Sequence, residues 1–542
     1  MMVRRVAAVS APLMTRVRGL SSAVAPPGTS ARGHPTSLVP HSLAATSART
    51  SLPPTLANVL ESMPVGTPVT VHGWVRSARG QKGLAFVHLA DGTNVDGVQV
   101  VVDGAVSGLA TGTAVRVSGT LVASPPGLKQ AIEVHAVPSG VEVLGACESS
   151  YPLQKKRHGI DFLRTHLNLR PRSALYAATL RVRAAVDHAI HAHMRDAGFL
   201  HVHTPILTAS DCEGAGETFT VHPPPSSSSS SSTSAPKEVT AAEYFKTGDP
   251  TAAVSLTVSG QLHLEMFAAA HPRVYTVSPA FRAEQSVSSR HLSEFAMVEA
   301  EIAWTRSLDD VMGVTAGMVA AAAAAVDPRD VECIARIMHA QPVQPRKGTV
   351  VQQQLTVAEA VSAATARVES LASGTPPPAV VPYTEAVAFL SGRARAAKFT
   401  VPVQWGMSLQ AEHEHYLADD LGRPVFVVDY PKSIKPFYML PSGGADADQA
   451  TVQCFDLLAP GGAGELAGGS LREHRADVLE AEMVARGMDP ASYAWYLDLR
   501  RYGCGPHGGF GLGLDRLVRY LAGVSSVRDV VPVPRMFGEC QY

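Results

Sequence analysis

Apolar and polar residues alternate along the first patterned part of the chain. Between residues 69 and 137 apolar side chains recur at every second position in short runs, and turns such as Asp91-Gly92-Thr93-Asn94 separate the runs. Successive side chains of a β-strand point to opposite faces of a sheet, so this period predicts half-buried strands. We predict five of them, at residues 69–75, 85–89, 98–102, 114–121 and 132–137.

Five short strands within residues 65–145 are typical of an oligonucleotide-binding barrel, the OB-fold. The alternative is a small barrel that packs against its neighbour and binds nothing. The strand pattern leaves both interpretations open, because it specifies the fold of the module and not its ligand.

The remainder of the chain predicts helices and strands in alternation. Helices are expected at residues 175–197 and 311–326, and a strand, a helix and a strand at 256–277. After residue 425 the pattern returns to strands and turns, and a closing helix starts near Asp515. Strands from distant parts of the chain with helices outside them predict an α+β catalytic domain on an antiparallel sheet, at residues 176–542. A hinge rich in Lys and Arg, at residues 146–175, would join it to the barrel.

Two segments interrupt this domain. Residues 223–236 are a tract of Pro and Ser, whose composition cannot bury apolar surface and therefore predicts a disordered loop. Residues 370–382 are predicted to form a second, flexible insert.

The N-terminal segment has an unusual charge pattern. No Asp or Glu occurs before Glu61, whereas six arginines lie among Ser, Thr, Ala and Pro residues. An Arg-rich, Ser-rich and acid-poor N-terminus is typical of a mitochondrial or chloroplast transit peptide. We therefore predict a transit peptide at residues 1–60, and localisation in the mitochondrion, the chloroplast or both. The alternative is a disordered extension without a targeting role.

Composition adds three exclusions. The chain is 46% hydrophobic and 17% charged with a net charge of −1, so any nucleic-acid surface must be local. None of its six cysteines forms a C-x-x-C pair, which indicates a reducing compartment and argues against a zinc site. No apolar run reaches the roughly 20 residues that a membrane span needs.

Candidate chemistry is concentrated in two distant segments. Arg282 and Glu284 are predicted to share one face of a strand, and Arg516 follows the glycine-rich run of residues 509–513. An arginine holds phosphate through a planar fork of N–H donors, and glycines let the backbone approach a ligand closely. The alternatives are a cross-strand ion pair and a surface arginine at a helix start.

Asp456 and Glu465 flank a glycine-rich turn and would suit Mg²⁺, unless they are solvated turn acids.

These segments resemble a known family. With Pro205 upstream, residues 281–295 and 509–516 resemble motifs 1, 2 and 3 of the class II aminoacyl-tRNA synthetases, and no P-loop sequence occurs. Further blocks resemble the asparaginyl-tRNA synthetases, and residues 151–158 are similar to the bacterial and organellar branch of that family. These blocks lie at residues 211–217, 257–262, 405–414, 429–432 and 496–503.

The resemblance implies an ATP site without a protein nucleophile. Arg282 would contact the α-phosphate and Arg516 the γ-phosphate, and both would be the catalytic residues. Phe295 would stack on adenine, with Mg²⁺ held by Asp456 and Glu465 and no zinc. The full set of implied ATP-binding residues is Arg282, Glu284, Arg290, His291, Phe295, Glu465, Gly513 and Arg516.

The resemblance also implies an amino-acid site. Gln261 would accept from the α-ammonium group, Glu299 from the side-chain amide, and Arg472 would donate to the amide oxygen. Leu264 stands where the related aspartyl enzymes carry a lysine, so a substrate carboxylate would lack its cation. L-Asparagine is therefore the expected amino acid.

In the barrel, Phe86 and Gln99 match positions that stack on and read an anticodon base in this family. The alternative for Phe86 is a place in the barrel core. The implied partners are tRNA(Asn), ATP, L-asparagine and a second copy of the chain, without a membrane.

The implied activity is that of an asparagine–tRNA ligase, which converts ATP to AMP and diphosphate. Three alternatives are an aspartyl-tRNA synthetase, a paralogue that makes asparagine and lacks the barrel, and a non-catalytic RNA-binding protein. Leu264 argues against the aspartyl enzyme, and the complete barrel argues against the asparagine-making paralogue. The retained motif residues argue against the non-catalytic RNA-binding protein.

Overall fold

A computed structural model describes residues 52–210, 212, 217–224, 239–247, 253–339, 355–443 and 449–542. The predicted targeting segment up to residue 51, most of residues 211–217 and most of the Pro/Ser tract lie outside the described residues. The elements below are numbered in chain order.

The N-terminal module begins with helix α1 and continues as a closed barrel. The barrel strands pair in the order β1-β2-β3-β5-β4, and β1 also pairs with β4, which closes the ring. Their inward side chains, such as Val71, Leu89 and Val100, are fully buried. The predicted OB-fold is confirmed, with one further strand, β6, at the edge of β4. The bounds are α1 Leu56–Ser62, β1 Pro68–Gln81, β2 Leu84–Ala90, β3 Val98–Asp103, β4 Ala114–Ala123, β5 Ile132–Ala136 and β6 Val141–Gly145.

The boundary predicted at residue 60 is wrong, because α1 belongs to the barrel. Leu56 and Val59 have no exposed surface and lie in the barrel core. The backbone N–H of Leu56 donates to Asp91 Oδ2 at 2.7 Å, and that of Ala57 donates to Thr93 Oγ1 at 3.2 Å. Two turn residues thus satisfy the free N–H groups at the start of the helix. Residues 52–60 lack acidic residues, as the preceding segment does, so composition alone did not separate them from the predicted transit peptide.

The connecting segment leads into a long helix. Helix α2 covers Ile160–Arg164, and α3 covers Ala174–Asp196 with Ser173 as its N-cap. One face of α3, including Val182, Val186 and Ile190, is fully buried in the main core. Arg181 on α3 donates to the backbone oxygen of Gly92, so the helix also contacts a barrel turn.

An eight-stranded sheet forms the base of the second domain. Its order is β12-β13-β14-β15-β16-β11-β10-β7, antiparallel except for the pairs β12–β13 and β7–β10. This confirms the predicted antiparallel α+β domain. The strands are β7 Leu200–His201, β10 Arg273–Phe281, β11 Glu294–Ala303, β12 Ala379–Pro382, β13 Val425–Val428, β14 Cys454–Ala459, β15 Gly464–Leu471 and β16 His507–Gly513, and a separate pair consists of β8 Leu207–Thr208 and β9 Ser255–Leu256.

Helices cover the sheet. Residues of α3, α6, α7 and α13 form the main core against β11, β15 and β16. The helices are α4 Ala241–Phe245, α5 Gln261–Ala268, α6 Leu308–Ala324, α7 Pro328–His339, α8 Val357–Ser373, α9 Tyr383–Ala397, α10 Ala411–Leu421, α11 Ala476–Ala485, α12 Ala494–Arg501 and α13 Leu514–Ala522.

Two local predictions are wrong. Residues 370–382 are not a flexible insert, because they contain the end of α8, a turn and β12, whose four residues pair in parallel with β13. Arg282 and Glu284 are not within a strand, since β10 ends at Phe281. The backbone N–H of Arg282 instead donates to the backbone oxygen of Ser293, and that of Ala283 to Glu217. A sequence pattern of only a few residues does not determine where a helix or a strand ends.

Within the described residues, no single helix is long and apolar enough to cross a membrane; the pair α6 and α7 passes only when joined, and it bends by 79°.

Candidate active site

One cleft contains every residue of the predicted ATP site. The ends of β10 and β11, the turn before β15 and the junction of β16 with α13 meet there. The two motifs, more than 200 residues apart in the chain, are therefore adjacent in space. The predicted residues that line the cleft are Arg282, Glu284, Arg290, His291, Phe295, Glu465, Gly513 and Arg516.

Arg282 and Phe295 lie face to face at one side of this cleft. The Arg282 guanidinium carbon is 5.6 Å from the centre of the Phe295 ring. Phe295 belongs to β11 and is only partly buried, so its ring is available to a planar ligand. An aromatic ring with a cation beside it can bind a nucleotide, because the base stacks on the ring and the phosphates are attracted to the cation.

Two further arginines are held by carboxylates. Arg290 Nη2 donates to Glu414 Oε2 at 3.0 Å, and Arg516 Nη1 donates to Glu465 Oε2 at 3.2 Å. Glu414 also accepts from the backbone N–H of Glu465 at 3.2 Å, so the two pairs are connected. Three arginines in one cleft provide the concentrated positive charge that a triphosphate needs.

His291 is a neutral member of the cleft. Burial lowers the pKa of its imidazole, and the positive charges of Arg516 and Arg290 lower the pKa further. Its Nδ1 lies 2.6 Å from Ser288 Oγ, which fixes the ring. His291 can therefore offer a hydrogen bond to a phosphate oxygen, whereas the arginines offer charge.

Helix α13 is anchored where it meets the cleft. Asp515 accepts from Arg183 of α3, and its Oδ2 accepts from the backbone N–H of Ala296 at 2.9 Å. Arg516 is the next residue, so its position depends on contacts with α3 and β11.

The predicted metal ligands Asp456 and Glu465 converge beside Gly468. A Cβ atom added to Gly468 would lie 3.3 Å from Asp456 Oδ1 and 3.6 Å from Glu465 Oε1. Lys435 Nζ donates to both oxygens of Asp456, at 2.8 and 2.7 Å. Burial raises the pKa of Asp456 against the attraction of Lys435, and the charge of Glu465 raises it further. Two converging carboxylates with mutual repulsion fit a divalent cation.

Glu299, one of the predicted amino-acid residues, contacts the two residues that precede Gln261 in the chain. Glu299 lies on β11 opposite Gly511 of β16, and its side chain is 2% exposed. Its Oε2 accepts from the backbone N–H of Gly260 at 2.8 Å, and its Oε1 accepts from Ser259 Oγ. These two contacts fix the orientation of the Glu299 carboxylate.

Arg472, the third predicted amino-acid residue, is almost fully buried. Its Nε and Nη2 donate to Glu301 at distances of 3.0 to 3.3 Å, and its Nη1 donates to Ser470. A guanidinium has five N–H donors, so two remain for a ligand beyond these contacts. Burial raises the pKa of Glu301 to about 7 against the attraction of Arg472.

Glycines give these charged side chains their space. A Cβ atom on Gly509 would lie 2.0 Å from Glu301 Oε2, and one on Gly260 would lie 2.7 Å from Thr204 Oγ1 and 3.1 Å from Glu299 Oε2. The run of residues 509–513 therefore makes room for the buried side chains, in addition to its predicted closeness to a ligand.

Leu264 does not face these charges. Its side chain is 1% exposed and packs in a small apolar cluster with Ala268 and Val274. The prediction that a substrate carboxylate would lack its cation here stays a prediction, because Leu264 packs in this apolar cluster. The charges that face the pocket come from other residues.

The barrel residues Phe86 and Gln99 lie outside the barrel core. Phe86 is partly exposed, and the Arg79 guanidinium carbon is 5.3 Å from its ring centre. Gln99 Nε2 donates to Glu133 at 3.0 Å. Phe86 is not among the buried residues of the barrel, so the alternative that it is a core residue is wrong.

Sequence reasoning missed several residues that hold the site together. Lys435, Glu414 and Arg183 fix the carboxylates and the arginines of the cleft. Glu265 lies four residues after Gln261 on α5, a spacing that places both side chains on one helix face and could have indicated their contact.

Two family models match the chain. One, described as tRNA synthetases class II (D, K and N), matches residues 160–537, and the other, an OB-fold nucleic acid binding domain, matches residues 69–144. Their boundary agrees with the two domains of the structure.

Similar proteins share most of the chain. An asparagine–tRNA ligase of Thermosynechococcus vestitus is 43% identical, with 90% of this chain and 99% of that protein covered. The asparaginyl-tRNA synthetase of Mus musculus is 41% identical, with 88% and 91% covered. The structure of asparaginyl-tRNA synthetase from Pyrococcus horikoshii complexed with asparaginyl-adenylate aligns with a TM-score of 0.69 at 28% identity, covering 90% of this chain and 99% of that one.

Proposed function

This chain belongs to the class II tRNA synthetases for aspartate, lysine and asparagine, and from that premise we propose that it is an asparagine–tRNA ligase. It activates L-asparagine with ATP and transfers the asparaginyl group to tRNA(Asn). The observation that carries this function is the cleft in which both motif arginines and the aromatic ring of Phe295 meet.

Activation needs positioning and charge, and no protein nucleophile. The asparagine carboxylate attacks the α-phosphorus of ATP, and diphosphate leaves. Arg282 stabilises the charge that develops on the α-phosphate, and Arg516 holds the γ-phosphate. Arginines already fixed in the cleft act without reorganisation, which is the larger part of such catalysis. The terminal adenosine of the tRNA then takes the asparaginyl group, and AMP leaves.

Asp456 and Glu465 are the residues that would hold Mg²⁺. The ion would neutralise negative charge on the phosphates. Burial alone would raise the pKa of Glu465, but Arg516, Lys435 and Arg290 hold it below its usual value, so the carboxylate is ionised. Lys435 supplies the counter-charge of Asp456 within the protein itself.

The function is tested by ATP–pyrophosphate exchange with purified protein. Asparagine should support exchange and aspartate should not, and the protein should then charge tRNA(Asn) with asparagine. Equal exchange with aspartate would instead favour an aspartyl-tRNA synthetase, and absence of exchange with both would favour a non-catalytic RNA-binding protein.

Anticodon reading is assigned to the barrel face that carries Phe86 and Gln99. Phe86→Ala should raise the KM for tRNA(Asn) by about tenfold or more, because base stacking on an aromatic contributes about 1–3 kcal/mol. ATP–pyrophosphate exchange without tRNA should not change. An unchanged KM for tRNA would remove Phe86 from the anticodon site.

A homodimer is supported by the exposed edge near Pro205. Leu200, Ile206 and Leu207 are 46%, 40% and 43% exposed, and β7 is the last strand of its sheet. Exposed apolar side chains at an unpaired strand edge are typical of a protein interface. Light scattering should give twice the mass of the chain, and Ile206→Glu should reduce it to one.

Import into mitochondria or chloroplasts is proposed from the N-terminal composition. Because α1 belongs to the barrel, we assign the targeting role to residues 1–51. A fluorescent protein fused after residue 51 should enter one or both organelles. A diffuse cytosolic signal would leave these residues as an extension without a targeting role.

A further inference from the structure

A buried ionic network contacts two of the predicted amino-acid residues. Glu265 of α5 is at its centre and is 2% exposed. Its Oε2 accepts from Tyr496 at 2.7 Å and from Arg500 at 2.5 Å. Its Oε1 accepts from Gln261 Nε2 at 3.2 Å and lies 4.0 Å from Arg472 Nε. One buried carboxylate therefore contacts two of the three residues assigned to asparagine.

The contact with Gln261 orients an amide. Because Gln261 directs its NH₂ group toward Glu265, the opposite side of that amide presents its carbonyl oxygen. A carbonyl oxygen is what an α-ammonium group requires as an acceptor. Glu265 thus determines which end of Gln261 faces the substrate.

The contact between Glu265 and Arg472 affects the net charge of the amino-acid site. An arginine beside the substrate side chain would, alone, bind a carboxylate in preference to an amide, since arginine and carboxylate form a strong bidentate pair. Selection of asparagine therefore requires that this positive charge be balanced by the protein. Arg472 lies 3.0 Å from Glu301, whose pKa is raised by burial to about 7, and Arg500 donates to Glu265. Glu265 is therefore the counter-charge that these two guanidinium groups share.

The remaining neighbours do not disturb this balance. Burial lowers the pKa of His507, which lies 3.4 Å from Glu265, to about 4, so its ring is neutral near pH 7. Burial alone would raise the pKa of Glu265, but Arg500 and Arg472 lower it to about 2, so this carboxylate is ionised.

We propose that Glu265, paired with Arg500, is a positioning residue that makes the site select asparagine over aspartate. Its carboxylate balances the buried arginines and holds Gln261 and Arg472 in their places. The inference rests on the proposed function, and it assigns the discrimination to a network outside the substrate-contacting residues.

Glu265→Gln is the decisive variant, because it removes the charge and keeps the shape and an acceptor for Gln261. The buried arginines then carry one uncompensated positive charge. The ratio of kcat/KM for asparagine to that for aspartate, measured by ATP–pyrophosphate exchange, should fall at least tenfold. The double variant Glu265→Gln with Arg500→Met restores the balance and should recover most of that ratio.

The controls separate charge from folding. Glu480→Gln removes an acid from an exposed ion pair with Arg501 and should leave the ratio unchanged. Tyr496→Phe removes the hydroxyl that donates to Glu265 and accepts from Arg500 without changing any charge, so a smaller fall of the ratio than in Glu265→Gln separates the charge from the hydrogen bonds. Thermal melting of every variant identifies general destabilisation, which would lower both kcat/KM values and leave their ratio constant.

The outcomes are distinct. If wild-type protein does not prefer asparagine, the proposed function fails. If wild-type protein prefers asparagine and Glu265→Gln keeps the same ratio, or the double variant shows no recovery, the inference fails. Should Glu265→Gln not fold, Glu265→Asp retains the charge and shortens the side chain. It should keep the preference and raise the KM for asparagine severalfold, and an unchanged KM would overturn the positioning role.

Discussion

At the scale of single residues, the arginines of the cleft have different surroundings. Arg290 and Arg516 pair with Glu414 and Glu465, whereas Arg282 lies over the Phe295 ring at the end of β10. Arg282 directly follows the strand that ends at Phe281 and lies beside the aromatic ring, and the family resemblance assigns it to the α-phosphate.

Arg282→Ala should reduce ATP–pyrophosphate exchange by roughly 100-fold or more, because removing one charge-stabilising donor in such a site raises the barrier by about 3 kcal/mol. The effect should appear in kcat. Arg329→Ala, at an exposed arginine that pairs with Asp327, is the matched control and should exchange at the wild-type rate. A wild-type kcat in Arg282→Ala would remove this residue from the transition state.

His507 predicts how stability depends on pH. Burial lowers its pKa from 6.5 to about 4, and the charges of Arg500 and Arg472 act in the same direction, against Glu265. Between these two values the unfolded chain binds a proton that the folded chain does not. Its contribution to stability is therefore complete above pH 6.5 and is lost as the pH falls toward 4.

This loss amounts to about 3 kcal/mol at most, since one pKa unit corresponds to about 1.4 kcal/mol. Thermal melting between pH 7.5 and 4.5 should show a smaller decrease in Tm for His507→Gln than for the wild type. Parallel curves for the two proteins would show that His507 does not titrate on unfolding.

At the scale of elements, β16 works because it has almost no side chains where it crosses β11. Gly509 and Gly511 lie opposite Glu301 and Glu299. A Cβ atom on Gly509 would lie 2.0 Å from Glu301 Oε2, and one on Gly511 would lie 2.9 Å from the terminal carbon of Met297. Close backbone approach and large polar side chains are thereby combined on one face of the sheet.

Gly509→Ala should destabilise the protein by at least about 1–3 kcal/mol, because the new methyl group would overlap Glu301 and the backbone oxygen of Ala300. Gly313→Ala is the opposite case, since its Cβ would meet nothing within 4 Å on the exposed face of α6. That change should stabilise by about 0.5–1 kcal/mol. Differential scanning calorimetry should show a lower melting temperature than the wild type for Gly509→Ala and a higher one for Gly313→Ala. Equal melting temperatures of the two variants would contradict the packing argument.

At the scale of the whole molecule, the barrel and the synthetase domain are joined by a contact of α3 as well as by the chain. Helix α1 fills the barrel core, and Arg181 of α3 contacts both the barrel turn at Gly92 and Asp330 of α7. The folded part of the protein therefore begins before the first acidic residue.

Truncation tests that boundary. Removal of residues 1–51 should leave the melting temperature and tRNA charging unchanged. Removal of residues 1–62 also deletes Leu56 and Val59 from the barrel core, a loss of about 3 kcal/mol or more of burial. Charging should then fall much more than ATP–pyrophosphate exchange, because the cleft lies in the other domain. Similar charging by both truncations would place α1 outside the functional barrel.

The chain alone determined the features that depend on local pattern and on unusual residue combinations. Period-two alternation specified the barrel, because strand geometry fixes which side chains face the core, and the resemblance of residues 281–295 to a family motif implied one half of the ATP site. The other half, around Arg516, was found by the same means. No pairing of charges across the sheet could be predicted, because sequence distance carries no information about register.

Tertiary structure decided which charges meet. Glu301 and Glu265 became the partners of Arg472 only when β11, the end of β15 and α5 came together, and Lys435 became the partner of Asp456 in the same way. Tertiary packing also placed Leu264 in an apolar cluster and Leu56 in the barrel core. A side chain's type is written in the sequence, but its electrostatic environment is set by neighbours that the fold brings from hundreds of residues away.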